Sequence, residues 1–283
     1  MLSSEELKNL DIHRGRLDRP GKDYTFPVDK SDFVIAFKIH DGVYSVWLDY
    51  IIESPLVECL SVSTGVDTWH DWIPCNPKVT DYSAKHNNGN VRHQVAQLVF
   101  ELPIVFIPKR YRTREVILNG EYFTATEQDP SDGIGSANQE ADSNGESLMM
   151  TFASLKGEDE LIPIPKGLDL HERMKMHQGI SRITPMLGPH GPQTRITLYC
   201  DISPKLPMDV PSIFLKWLFK MTVPLGCKGF RKQARRFHKG KLEKTELAYR
   251  ITKDMERLYP ADMLYKEASD STDWASSEAE EVN

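Results

Sequence analysis

The feature that most constrains this chain is a long amphipathic stretch that follows a series of strand-like runs. From Pro211 onward, apolar residues fall at Ile213, Phe214, Trp217, Leu218 and Met221. Their spacing of i, i+1, i+4, i+5 and i+8 puts them on one helical face. Pro224 should kink this region or separate two helical pieces, because proline lacks an N–H and crowds the preceding turn. Helical character resumes toward Phe237. A further helix is predicted over 242–258, with Pro260 ending it.

Upstream, the pattern is one of strands. Phe33–Ile39 and Val43–Ile52 are rich in β-branched and aromatic residues and flank Asp41-Gly42, a dipeptide that tolerates the positive φ of a hairpin turn. Ser54-Pro55 then reads as a helix start, with Ser54 as cap and Pro55 in the first turn. Leu56, Val57 and Leu60 lie near one face of that helix, Gly65 stops it, and Trp69–Pro74 makes an aromatic corner. Residues 76–90 are loop-like, with a turn at Asn87–Asn90. Val91–Phe100 fits helix or strand equally. Pro103 and Pro108 bracket an apolar stretch, and Arg112–Thr126 reads as two strands turning at Asn119-Gly120. Residues 128–147 are polar and poor in large apolar side chains, a flexible insertion. Strands follow over Leu148–Leu155, Met174–Pro185 and Thr194–Ile202, with Gly188–Pro192 joining the last two.

The fold class implied is α+β. A curved antiparallel sheet of six or more strands wraps a long C-terminal helix. A curved sheet does not fill its own concave side with one helix, which leaves room for an apolar ligand. Residues 1–31 read as a polar leader with a short helix at 4–10. Residues 32–240 form the domain, 241–268 an additional C-terminal helix, and 269–283 a disordered tail with five acids and no base.

The net charge of -6 argues against a general nucleic-acid binder. The four cysteines, Cys59, Cys75, Cys200 and Cys227, form no CxxC pair, and buried free thiols are expected. The N-terminus has no apolar stretch and the chain no run of 18 apolar residues, so a cytoplasmic protein without a membrane span is expected. His70, His86 and His93 match no zinc spacing, so no metal or other cofactor is expected. There is no nucleophile elbow, phosphate loop or dinucleotide fingerprint.

One charge signal stands out. Residues 210–242 carry nine Lys or Arg and no acid. Among them Lys228, Arg231, Lys232, Arg235, Arg236 and Lys239 cluster where the helix ends. A solvated helix face is one reading. The other is a surface for anionic membranes. Nucleic acid fits less well, since only Phe230 and Phe237 are interleaved for stacking.

Four features in order resemble the START domains, the StAR-related lipid-transfer family. These are a strand with Ser54-Pro55-Leu56, a helix and then Trp72-Ile73-Pro74; Pro103 followed by Arg114-Glu115; Gly179–Pro185 followed by Thr194–Asp201; and Pro211 opening a long helix with Pro224 and a basic end. The resemblance spans residues 33–238. The chain departs from the family between Asp201 and Pro211, where the usual glycine is missing, and in its long insertion.

The resemblance implies a helix-grip fold holding one lipid, with no covalent chemistry. It would build the cargo site from Trp72, Arg114, Glu115, Tyr122, Thr197, Tyr199, Phe214, Trp217, Leu218 and Met221. Trp72 reads as cavity wall or plain core. Arg114 and Glu115, being adjacent on a strand, point to opposite faces, so one of them enters the grip or both sit in outer ion pairs. The helix from Pro211 would act as a lid hinged at Pro224 and Gly226 while the basic end rests on an anionic membrane. A monomer is expected. An enzyme on the same fold, and an interaction module with a filled cavity, are the rival readings.

Overall fold

The computed structural model describes residues 16–86, 92–102, 112–126, 146–154, 162–166, 168, 173–205 and 210–265. The helix expected at 4–10, the turn at 87–90, the prolines at 103 and 108, residues 128–145 of the insertion and the acidic tail lie outside them.

Among the described residues, nine strands form one antiparallel sheet: β1 Thr25–Asp29, β2 Phe33–His40, β3 Val43–Ile52, β4 Lys78–Asp81, β5 His93–Glu101, β6 Thr113–Thr126, β7 Glu146–Ala153, β8 Lys175–Gly188 and β9 Gly191–Ser203. Their order across the sheet is β1-β2-β3-β9-β8-β7-β6-β5-β4. The sheet is curved and carries the helices on its inner face, the α+β helix-grip arrangement. Helix α1 spans Leu56–Thr64, the short α2 Ser83–His86, the long α3 Ser212–His238, α4 Glu246–Met255 and α5 Ala261–Leu264.

The β2–β3 hairpin turns as its Asp-Gly demands. Asp41 has φ 49° and Gly42 φ 74°, the two left-handed residues of a two-residue turn that matches strand twist. Of the stretch that fits helix or strand, His93–Glu101 forms strand β5, with both its edges taken, by β4 and β6.

Several expectations are corrected. The leader is part of the sheet, since β1 pairs with β2. Leu17 packs on Trp47 and Tyr199 on the outer face, and its carbonyl accepts the Trp47 indole N–H at 3.2 Å. Asn119-Gly120 is no turn: β6 runs straight through it, pairing first with β5 and then with β7. Gly120 serves packing instead, for an added Cβ would stand 2.7 Å from the Met150 methyl. Ser54 does not cap α1; its hydroxyl donates to the buried Glu58 carboxylate at 2.8 Å. Pro224 lies inside one continuous α3 and does not divide it. The last long helix is shorter than expected, starting where Thr245 accepts the Ala248 N–H. It is no appendage, because Ala248, Ile251 and Met255 share the main core with α1 and with Phe230, Ala234 and Phe237 of α3.

Glycines let α3 lie close to the aromatic corner. A Cβ on Gly229 would sit 3.0 Å from both Cα and O of Trp72, and one on Gly226 3.0 Å from Pro74. Leucine is a good helix former, so propensity alone would favour Gly229→Leu by about 0.8 kcal/mol. The neighbour here is backbone, which does not swing aside. Gly229→Leu should therefore destabilise the fold by about 1–3 kcal/mol in urea unfolding.

Candidate functional site

Strand alternation sorts every candidate onto one of two faces. The inner face is the one α1 and α3 cover. It carries Leu48, Tyr50, Ile196 and Ile183 together with Phe230 of α3. The outer face carries Trp47, Ile180 and Tyr199 together with Leu17.

Two cross-strand rows form the floor beneath the helices. One runs Val46, Cys200, Gly179, Phe152, Gly120 over β3, β9, β8, β7 and β6. The other runs Leu48, Leu198, Ser181, Met150, Tyr122. The Phe152 ring lies over Gly179, where an added Cβ would meet it at 2.1 Å.

The burial of this floor is uneven: Gly120, Tyr122, Gly179 and Ser181 are buried, as are Tyr50, Ile183 and Ile196 on the same face. Trp47 and Tyr199, on the outer face, are buried. Val46, Leu48, Leu198, Cys200, Leu118 and Phe152, on the inner face, are only half-buried although helices lie above that face. Cys200 retains accessible surface and yet is so enclosed that burial pushes its thiol up to about 12. Cys227, on α3, is half-buried, and burial likewise raises its thiol to about 12.

The two halves of α3 are held differently. From Gly226 on, Phe230, Ala234 and Phe237 are buried in the main core, and Phe230 stands edge-on to Trp72 with centroids 5.0 Å apart. The first half is held by a smaller cluster of Leu215, Phe37 and Val210, with Phe219 stacked on Phe37 at 4.9 Å. Phe214 and Leu218 are half-buried against that cluster. Trp217 and Met221 are not on the grip side, which corrects their assignment to the cargo. They are 53% and 50% exposed, in a row with Ile213 at 78% and Leu225 at 61%. Helical geometry continues this outward row into the exposed Lys228, Lys232 and Lys239. The expected single apolar face is in fact two adjacent stripes, one inward and one outward.

The other candidates separate in the same way. Thr197 and Tyr199 are corrected to the outer face. Their hydroxyls donate to Asp49 at 2.8 Å and to Asp201 at 2.6 Å, because odd positions of β9 point away from α3. Glu115 also points outward. It is fully buried under residues 162–166 with Arg173, two N–H groups donating at 3.0 Å each, and with Gln97 at 2.6 Å. Arg114 points inward but is committed: its guanidinium donates to the carbonyls of Thr113, Pro204 and Lys205 at 2.7, 3.0 and 3.2 Å. Trp72 is half-buried between the main core and the cluster beneath β5 and β6. Tyr122 is buried in the main core, which raises its phenol to about 12. The docking cations divide too. Arg236 pairs with Asp71 at 3.0 Å, Arg231 reaches the Ile51 carbonyl at 3.5 Å, and the Arg235 Nε is buried.

Sequence reasoning missed Val46, Leu48, Leu198, Cys200 and Phe152. The signal was present. Along β9, Ile196, Leu198 and Cys200 alternate with Arg195, Thr197 and Tyr199, which already separates floor from outer face. Two clefts, of about 420 Å³ beside His70 and Lys78 and about 340 Å³ beside Thr68 and Lys244, lie outside the grip. Among the described residues, no group of His, Cys, Asp and Glu is placed to hold a metal ion, and no helix is long and apolar enough to cross a membrane.

A nine-stranded antiparallel sheet gripping a long C-terminal helix is the fold of the StAR-related lipid-transfer domains. Human STARD10 matches over 92% of this chain and 90% of its own, with a TM-score of 0.58 and 12% identity. Human StAR-related lipid transfer protein 5 matches over 83% of this chain and 97% of its own, with a TM-score of 0.54 and 10% identity. No family model matches the sequence, and no curated protein does.

Two measurements check this geometry. Arg173→Met leaves Glu115 buried without its cation and should cost about 3–5 kcal/mol, most of which returns when Glu115→Leu is added; urea unfolding of both variants reads it. Cysteine alkylation checks the enclosure. Cys75 is exposed, whereas at pH 8 a thiol near 12 is thiolate in roughly 1 molecule in 10⁴. Peptide mapping should show Cys75 modified first. Cys200 and Cys227 should follow only as pH rises, about tenfold faster per unit below their pKa.

Proposed function

We propose that this chain is a lipid carrier. One lipid lies between the inner face of the sheet and the first half of α3, held without covalent chemistry. The observation that carries the reading is uneven burial: Val46, Leu48, Leu198, Cys200 and Phe152 on the inner face keep accessible surface under the helices, while Trp47 and Tyr199 on the outer face are buried. In this reading that surface is the wall of an internal space, and the burial that raises the Cys200 thiol supports its enclosure. The likeness to two human lipid-transfer domains supports the same reading. Cargo burial would be driven by apolar surface leaving water, about 25 cal/mol per Å². Of the earlier candidates, Trp72, Tyr122, Phe214 and Leu218 remain beside this space.

The lid in this reading is the first half of α3. Pro224 donates no backbone hydrogen bond, so the turn before it is the weakest in the helix. The half beyond Gly226 is sealed into the main core and stays in place. The outward row of Ile213, Trp217, Met221 and Leu225 then meets the membrane, flanked by the exposed Lys216 and Lys220 and continued by Lys228, Lys232 and Lys239. An amphipathic helix of this kind lies in the interface with its apolar row among the acyl chains and its lysines at anionic headgroups. The protein is thus peripheral to a membrane on its cytoplasmic side, and acts as a monomer.

Native mass spectrometry of the protein purified from cells should show one lipid per chain, identified after extraction. A chain that arrives empty, and stays empty after incubation with mixed vesicles, sinks the carrier reading and favours a filled interior. Docking is checked separately by sedimentation with anionic vesicles. Lys216→Glu/Lys220→Glu should weaken binding at least tenfold, given about 1 kcal/mol for each basic residue near such a surface. Trp217→Glu should weaken it comparably, while Arg236→Glu should act mainly on stability through Asp71. Unchanged vesicle affinity in the first two variants would refute docking through α3.

A further inference from the structure

We infer that the acidic residues 269–283 cover the outward face of α3 in the free protein, and that an anionic membrane must displace them to dock; the displacement rests on the carrier reading above, whereas the cover does not. The face itself calls for an occupant. Of the seven exposed large apolar side chains among the described residues, four lie in its one row, Ile213, Trp217, Met221 and Leu225, so they form a patch and are not scattered. Lys216 and Lys220 flank the row, and Lys228, Lys232 and Lys239 continue it. All five lysines are exposed, and none has an acid partner among the described residues. A fitting occupant is therefore negative and carries an apolar anchor. A second copy of this face is not, since pairing it with itself would set lysines against lysines.

Residues 269–283 have that chemistry. They hold Asp270, Asp273, Glu278, Glu280 and Glu281, no Lys or Arg, and one large aromatic, Trp274, between the two groups of acids. The pattern mirrors the face, an apolar residue between acids against an apolar row between lysines. Tryptophan suits the anchor because it buries a large area with few torsions to fix. The reach is sufficient. Leu264 is buried in the main core and Tyr265 packs on it, the same cluster that holds Phe230 of α3. Nine residues lead from Tyr265 to Trp274 and span at most about 30 Å. Along α3, Met221 lies about 14 Å from Phe230 at the helical rise. The tether also presents these acids to the lysines at a roughly millimolar effective concentration, so even a weak contact is populated. An uncharged membrane offers the lysines nothing in exchange, while an anionic one attracts them all. The cover thus makes docking conditional on surface charge.

The test uses the full chain. A carbodiimide reagent joins carboxylates to lysine amines in contact, and the isolated monomer is then mapped by mass spectrometry. Cross-links from Asp270, Asp273, Glu278, Glu280 or Glu281 to the α3 lysines are expected, and vesicles of phosphatidylserine and phosphatidylcholine should abolish them. A monomer without such cross-links overturns the inference. Cross-links confined to a dimer overturn it in favour of exchange between copies. Sedimentation with the same vesicles tests the displacement. Asp270→Asn, Asp273→Asn, Glu278→Gln, Glu280→Gln and Glu281→Gln combined in one chain should tighten binding about tenfold. Trp274→Ala changes no charge and should still tighten it about threefold. Tightening by the neutralised chain alone, with Trp274→Ala unchanged, means bulk repulsion and overturns the displacement. Cross-links in the monomer with no vesicle binding by any form would uphold the cover and defeat the docking reading instead.

Discussion

Side-chain alternation along nine antiparallel strands is the constraint on which the rest of this molecule depends. Each strand sends one set of residues toward the helices and the other toward a covering of peptide on the outside. Once β9 places Ile196, Leu198 and Cys200 inward, Thr197, Tyr199 and Asp201 have no choice but to face out. The outer set then needs its own cover. It is supplied by Leu17 on one side and by Ile162 with Arg173 on the other. A leader that reads as featureless in sequence is thus half of the outer core.

The fold was legible because its signals are local. Asp41-Gly42 gave its hairpin, the β-branched runs gave strands, and a long amphipathic stretch gave α3. What misled were local signals overruled by pairing. Asn119-Gly120 is a strong turn dipeptide, yet the two halves of β6 find partners in β5 and β7 and not in each other. Val91–Phe100 carried no decisive period, and two flanking edges decided it. The site was less legible for a different reason. Whether an apolar residue faces in or out on a helix depends on what lies across from it, and α3 has apolar residues over more of its circumference than the sheet covers. Ile213, Phe214, Trp217, Leu218 and Met221 satisfy one sequence pattern, but only Phe214 and Leu218 meet the Phe37 cluster.

The basic segment shows the same effect for charge. A run of nine cations with no acid reads as one surface. Folding divides it by helical angle. Arg236 meets Asp71 and Arg231 meets a strand carbonyl, while Lys216, Lys220, Lys228, Lys232 and Lys239 remain in solvent. Arginine, with its planar fork of donors, suits the fixed intramolecular contacts, and lysine, a hydrated point charge, suits the open side. The division by residue type was visible in sequence, though its meaning was not.

These separations converge on α3. Its second half is bound to the main core by Phe230, Ala234 and Phe237 and closely apposed to Trp72 and Pro74 through Gly229 and Gly226. Its first half rests on fewer buried side chains and exposes an apolar row whose hydration is unfavourable in water. Such a row is tolerated where another medium receives it. Local stability therefore falls along the helix toward Ser212, and Pro224 marks the step between the two regimes. In the carrier proposed above, the half of the helix that would meet a membrane through its outward row is also the half with the lighter inward packing, so docking and opening would draw on the same residues of one helix.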